Sequence, residues 1–393
     1  MEYEFSDRIK NMTGNAIRDI FSVLNDPEMI SFAGGMPARD ALPVQIVKEL
    51  SNQVLEKNGA SILQYGSTEG YMPFRESAVE YVRRSGNISC SVSDVFAVSG
   101  GQQGIDLACK ALLNSGDHVL VERPTYLAVL QILQTYQAQI HSVEMDEDGL
   151  DLSDLEKKLQ KYHPKFIYTI PNFQNPTGRT MSLIKRKKLL ELAQRYNTLI
   201  LEDDPYGMLC YGVERLPSIK SMDTEGRVVY LTSFSKVISP GLRCGVAVAP
   251  GELGRKMVIG KQAVDVHTNS LSQAIIDAFL RGGYLDEQLK RSNEIHGHRK
   301  NHMLHCMERY FPKEVHFTRP DGGLFIWAEL PKTCSVVKLF QPAIERKVAF
   351  IAGIHFFAEG DGMNTMRLNF SNSDDERIER GIKTLGELIA ENL

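Results

Sequence analysis

Between about residue 90 and residue 250 the chain alternates short β-branched or aromatic runs with longer stretches of helical spacing. The short runs are Val95–Ser99, His118–Glu122, Lys165–Ile170, Thr198–Glu202 and Arg227–Thr232. Runs of this length, bounded by turn-forming residues, read as strands. Strands that alternate with helices build βαβ units, so the pattern predicts an α/β fold with a mostly parallel sheet and helices on both faces. After about residue 285 the texture changes. A charged helical stretch, Gln288–Arg309, precedes strand-like runs at Gly323–Glu329 and Ala349–Phe357, which predicts a second, smaller α+β unit. The first 45 residues, with a helical segment near Ala16–Leu24 and a turn at Gly34–Gly35, are too few for a domain. The expected organisation is an N-terminal segment (1–45) docked on the small domain and the active site, a large domain (46–285) and a small C-terminal domain (286–393).

Composition supports this outline. A chain of 393 residues, 42% apolar and 24% charged, falls among ordinary globular proteins of two or three domains and not among disordered chains. A net charge of -4 and an isoelectric point near 6.2 exclude a general attraction to nucleic acid or anionic lipid. No apolar run approaches the roughly 18 residues of a membrane helix, and Met1–Lys10 lacks the basic-then-apolar order of a secretion signal. The six cysteines form no CxxC pair, so neither a disulfide framework nor a zinc ribbon is expected. A reducing, cytoplasmic location fits.

The polar and glycine-rich signals fall just after the expected strands, where open α/β sheets keep their ligand crevice. Ser233-Phe-Ser-Lys236, followed by Ser239-Pro-Gly-Leu-Arg-Cys-Gly245, puts a lysine at a strand end. Burial and nearby cations would lower its pKa toward the neutral amine that imine formation needs. A solvated lysine is the plain alternative. The SxxK of penicillin-binding proteins also matches formally, but its SDN and KTG companions are missing. Glu202-Asp-Asp-Pro-Tyr206 ends an apolar strand in carboxylates. A metal is one reading; for a pyridine ligand, one carboxylate would keep the ring nitrogen protonated, and Tyr206 could donate to a phenolic oxygen. Pro171-Asn-Phe-Gln-Asn-Pro-Thr-Gly178 is rich in turn formers, and Pro176 would hold Asn175 rigid as an amide donor. Ser99-Gly-Gly-Gln-Gln-Gly104 joins a strand to a helix starting near Gln103 and suits a phosphate monoester. It is neither a Walker A loop nor GxGxxG. In Thr365-Met-Arg-Leu-Asn-Phe370, Arg367 interrupts an apolar pattern and must be paired or face a ligand, for which a carboxylate fits its planar fork.

In this order and spacing the motifs resemble the class I and II aminotransferases of the fold-type-I pyridoxal-phosphate superfamily, over essentially the whole chain. The resemblance implies a mostly parallel seven-stranded sheet in the large domain and pyridoxal 5'-phosphate held as a Schiff base on Lys236, which also moves the substrate proton. It assigns Asp203 to the pyridinium nitrogen and Tyr206 and Asn175 to the phenolic oxygen. Gly101, Gln102, Ser233 and Arg243 take the phosphate, Tyr126 the ring face, and Tyr65 of one subunit the phosphate of its neighbour, hence a homodimer. Arg367 takes the substrate α-carboxylate, with Asn175 and Gly35 also at the substrate. The implied reaction passes an amino group from an L-α-amino acid to a 2-oxo acid, typically 2-oxoglutarate. Ser31-Phe-Ala-Gly-Gly-Met-Pro37, PNFQNPTG and SPGLRCG resemble the 2-aminoadipate and kynurenine branch, in which Arg18 would meet an acidic side chain or, alternatively, sit at the surface.

Two rivals keep the fold. A lyase or decarboxylase would share the site, and a non-catalytic sensing domain would bind cofactor without turnover. Regulators that fuse a helix-turn-helix domain to this fold are disfavoured, because the pattern begins almost at Met1 and no basic excess accompanies it. His296, His298, His302 and His305 share a charged helix and are expected on a solvated face, with no metal. Asn11-Met-Thr and Asn87-Ile-Ser match the glycosylation pattern in form only.

Overall fold

The computed structural model describes residues 3–10, 12 and 26–393. The expected helix near Ala16–Leu24, and with it Arg18, lies outside the described residues. The strands are β1 (Ile30–Ser31), β2 (Val95–Val98), β3 (His118–Arg123), β4 (Gln139–Asp146), β5 (Gly149–Leu150), β6 (Phe166–Thr169), β7 (Leu199–Asp203), β8 (Val228–Ser233), β9 (Gly245–Val248), β10 (His316–Phe317), β11 (Phe325–Glu329), β12 (Val348–Ala349), β13 (Ile351–Ala352) and β14 (Thr365–Asn369).

The main sheet runs β2-β9-β8-β7-β6-β3-β4-β5. Its centre, β8 through β4, is parallel, while β9 runs antiparallel to both β2 and β8 and β5 folds back antiparallel on β4. It therefore counts eight strands against the seven expected. The eighth is the two-residue β5, which follows the Glu147–Asp148 turn, where Gly149 takes φ +121°. Every residue of β2, β6 and β8 is buried, as a sheet covered on both faces requires, and this is why these segments read as continuous apolar runs.

A second sheet, β10-β11-β14-β13, is wholly antiparallel and has its own core with the helices Tyr284–Tyr310, Val336–Glu345 and Asp375–Ala390. The segment 349–357, expected as one strand, is two short strands and a turn. β12 pairs with β1, β13 pairs with β14, and a 3-10 turn, Gly353–Phe356, follows. The chain thus crosses between ladders, and a Cβ on Gly353 would collide with Thr365. Pairing of β1 with β12 (Ile30 opposite Val348) and burial of Phe32 in the second core tie residues 30–32 to the C-terminal unit. The long helix begins at Tyr284, four residues before the expected Gln288, after Gly283 at φ +75° and with Asp286 and Glu287 in the first turn, where acids favour the helix dipole.

His296 departs from the solvated face assigned to that helix. It is fully buried and accepts a hydrogen bond from the Ala38 N–H at 3.1 Å, and burial pushes its pKa down to about 4. His298 and His305 are exposed. Among the described residues no group of three His, Cys, Asp or Glu side chains is arranged to hold a metal, and no helix is long and apolar enough to cross a membrane.

Candidate functional site

The carboxyl ends of β2, β3, β6, β7 and β8 and the start of antiparallel β9 open on one edge of the main sheet. A cavity of about 380 Å³ lies there, within the usual range for small-molecule sites. Gly34–Met36 from the N-terminal segment and Phe325 and Arg367 from the second sheet close it on the other side. Of the residues singled out in the sequence, Gly35, Gly101, Gln102, Tyr126, Asn175, Asp203, Tyr206, Ser233, Lys236, Arg243 and Arg367 all line this cavity. Tyr65 does not. It is 82% exposed on the outer surface, with its ring edge-on to His267 at 6.0 Å.

Lys236 follows β8 in the turn that leaves the sheet. Its Nζ donates to the Gly35 carbonyl at 2.7 Å. Burial, reinforced by the charges of Arg367 and Arg243, lowers its pKa to about 8, so a substantial neutral fraction exists near neutral pH. Asp203 ends β7 and is buried. Burial raises its pKa to about 7 and the neighbouring Asp204 pushes the same way, opposed by the Tyr168 hydroxyl, which donates to Oδ2 at 2.7 Å. Among the described residues no cation hydrogen-bonds Asp203. A buried carboxylate in this state favours a cationic ligand atom beside it.

Arg367 stands in the middle of β14, four per cent exposed. Its Nη1 donates to Asn175 Oδ1 at 2.8 Å and its Nη2 to the Ala33 carbonyl at 2.6 Å, while Nε has no protein partner. The guanidinium lies over the Phe325 ring at 4.1 Å and near the Phe356 ring at 5.1 Å. Desolvation brings its pKa down to about 10. An arginine held this way, without a carboxylate hydrogen-bonded to it in the protein, is suited to an anionic ligand. Asn175 Oδ1 is occupied by Arg367, and both Asn175 and Tyr206 line the cavity.

At the other end of the cavity the helix Gly101–Leu112 starts directly at Gly101, two residues before the expected Gln103, because Gly100 at φ +90° turns the chain sharply. A Cβ on Gly100 would come 2.7 Å from Arg243 Nη2, and one on Gly101 would come 3.6 Å from Asp203 Oδ1. The glycines thus leave room for the arginine and for a ligand between helix and carboxylate. The N–H groups of the first turn, Arg243 and the Ser233 hydroxyl make this end suitable for an anion.

Sequence reasoning missed Tyr168, Glu122 and Gln174. Tyr168 sits one strand over from Asp203 on β6, a neighbour that only sheet register reveals. Glu122, next to last in β3, is buried and accepts from Thr169 Oγ1, the Ile170 N–H and Gln174 Nε2, while burial raises its pKa to about 7. Gln174 also donates to the Pro124 carbonyl at 2.8 Å and receives the Thr177 N–H, so it braces the loop that presents Asn175.

Residues 27–385 match the family model for aminotransferase class I and II. The aromatic-amino-acid aminotransferase 1 of Thermococcus litoralis is 41% identical, covering 100% of this chain and 96% of its own length. A crystal structure of Pyrococcus horikoshii kynurenine aminotransferase in complex with PMP superposes with a TM-score of 0.94 at 38% identity, covering 98% of this chain and 97% of that one. The α-aminoadipate aminotransferase of Thermus thermophilus, complexed with N-(5'-phosphopyridoxyl)-L-leucine, has a TM-score of 0.92 at 38% identity over 98% of this chain and 97% of its own.

Proposed function

Because this chain belongs to the class I and II aminotransferases and works with pyridoxal phosphate, we propose that its donor is an aromatic, branched-chain or 2-aminoadipate-type L-α-amino acid and its acceptor 2-oxoglutarate. The observation that carries the reading is one cavity holding a lysine with lowered pKa, a buried carboxylate and a buried arginine without a carboxylate partner. Met36, Leu127, Ile170 and Phe325 give it apolar walls suited to a large side chain, and the relatives named for kynurenine, aromatic amino acids and α-aminoadipate fit such a donor.

The residues present fit the cofactor. The helix start at Gly101 and Gln102, with Ser233 and Arg243, would hold the phosphate. Asp203 would hold a proton on the ring nitrogen, kept in place by Tyr168. Asn175 and Tyr206 would donate to the phenolic oxygen, and Tyr126 would cover the ring face. Pyridoxal phosphate, when bound, supplies an electron-accepting ring that takes up negative charge from the substrate Cα. Arg367 binds the donor's α-carboxylate through its fork, with Asn175 and Gly35 beside it. The neutral Lys236 amine takes the proton from Cα and returns it at the other end of the transfer, the role for which its lowered pKa suits it. Gly34–Met36 and Phe325 keep water from that exchange.

Residues 46–285 serve as the cofactor-binding domain and 286–393 as the small domain, with the N-terminal segment (1–45) meeting the small domain and the site through its described residues 30–36; separate cores and the pairing of β1 with β12 support that division. The exposed Tyr65 reaches the phosphate of a second copy in a homodimer, and the Leu63 side chain near it is also exposed. The six free cysteines suit the reducing cytoplasm.

The test is a donor panel on purified enzyme without acceptor. Donors of the proposed classes should convert the bound cofactor to its amine form, read by absorbance, and 2-oxoglutarate should restore it. A cofactor spectrum that no amino acid changes would overturn the reading. Replacing Arg367 with Leu should raise the donor KM by roughly 10- to 100-fold, the loss of a charge-assisted bidentate contact, while the cofactor absorbance stays. Arg367→Lys should recover little, because an ammonium cannot form the fork. An unchanged KM in both variants would remove Arg367 from the carboxylate site.

A further inference from the structure

Asp265 ends the helix Gly251–Asp265, a position where a negative charge opposes the helix dipole. The next residue, Val266, takes φ +61°, a left-handed conformation that a β-branched side chain rarely adopts. Local rules are thus broken at two successive positions, and such departures are expected where the surrounding structure or function demands them. The Asp265 carboxylate points back into the molecule. Oδ2 accepts from Ser99 Oγ at 2.9 Å and from Gln103 Nε2 at 2.7 Å, and Oδ1 accepts from Lys261 Nζ at 2.6 Å. Lys261, one turn earlier, is fully buried, so the two charges balance within the same site.

Ser99 and Gln103 bracket the turn that starts the helix at Gly101. Each polar group of Ser99 has a partner. Its hydroxyl donates to Asp265, its N–H donates to Gln103 Oε1 at 2.7 Å, and its carbonyl accepts from Arg243 Nη2 at 3.3 Å. Gln103 therefore bridges Asp265 and the Ser99 backbone. We propose that Asp265 is a positioning residue for the cofactor phosphate: through Ser99 and Gln103 it fixes the turn whose N–H groups, with Arg243, receive that group. The inference rests on the reading that Gly101, Gln102, Ser233 and Arg243 hold the phosphate. Glycine at 100 and 101 makes the turn intrinsically mobile, because glycine loses more backbone freedom on ordering than any other residue. A side chain that pins both ends of the turn removes that cost before the ligand arrives.

The dissociation constants of pyridoxal phosphate and of pyridoxal, which lacks the phosphate, measured on the apoenzyme, separate a phosphate-specific effect from a general one. Asp265→Ala should weaken pyridoxal phosphate about tenfold, the scale expected for losing charge-assisted hydrogen bonds, and leave pyridoxal within about twofold. Asp265→Asn retains the shape and one acceptor, and should lose about threefold on the phosphate ligand alone; it carries the test should the alanine variant not fold. Equal weakening of both ligands, or no weakening of either, would overturn the assignment. Arg243→Met tests the underlying reading. If it leaves the ratio of the two constants unchanged, the phosphate site itself is misplaced. If it collapses the ratio while both Asp265 variants preserve it, only the role of Asp265 falls.

Discussion

Lys236→Ala is expected to abolish the absorbance of lysine-bound cofactor and to lower turnover by about 10²–10⁴ through loss of proton transfer alone, with loss of the covalent hold in addition. The expectation follows from a side chain that is the amine at the junction of the cavity's two ends and whose pKa is already lowered to about 8. Its charge state also sets a pH dependence. Only the neutral amine attacks an aldehyde, so the rate at which apoenzyme captures pyridoxal phosphate should rise about tenfold per pH unit below pH 8 and level off above it, as ionisation requires. Lys236→Arg, permanently charged, should capture nothing covalently at any pH. Stopped-flow absorbance measures the rates. A variant without Lys236 that retains both the absorbance and turnover would remove this lysine from the chemistry.

Asp203→Asn should act with opposite signs on stability and on catalysis. With cofactor bound, the amide cannot hold a proton on the ring nitrogen, and removal of such an electrostatic group lowers kcat by roughly 10²–10³. In the apoenzyme the same change relieves the burial of a charge. Asp203 has a folded pKa of about 7 against an ordinary 3.8, so its contribution to apo stability is complete below the lower value and is lost as pH rises through the upper one. The Asn variant should therefore melt higher than wild type in the apo form at pH 8 and lose part of that advantage near pH 4. The Tyr168 hydroxyl keeps an acceptor in the amide oxygen, so that hydrogen bond is retained, and the new amide N–H groups belong to a side chain that lines the cavity. Calorimetry of apo and loaded forms, beside kcat, checks both halves. A near-normal kcat would take Asp203 out of its role, and an apo form less stable at pH 8 would contradict the burial argument.

The strands carrying the site were legible because a sheet covered on both faces needs uninterrupted apolar runs, and these end in the polar residues that face the ligand. Val228–Ser233 running into Lys236 is the clearest instance. Other elements were misjudged for local reasons. The run at 349–357 is apolar but for His355, yet Phe350 lies where the chain leaves β12 for β13, and two different ladders share what reads as one strand. His296 sits among charged neighbours in sequence, but Ala38 from the N-terminal segment covers it, a contact across 258 positions that no window of residues contains.

By itself, the sequence determined the alternation of elements, the lysine at a strand end, the glycine turn before a helix and the arginine in an apolar strand, because each depends on residue type and nearest neighbours. It also carried the family resemblance through the order of those motifs. Tertiary structure alone decided that Tyr168 steadies Asp203, that Arg367 bonds Asn175, and that Asp265 holds the turn at Ser99. Those relations join residues 35, 192 and 166 positions apart. Sheet register and helix packing bring them together, and the lowered pKa of Lys236 and the raised pKa of Asp203 arise from desolvation, which exists only once the chain has closed around them.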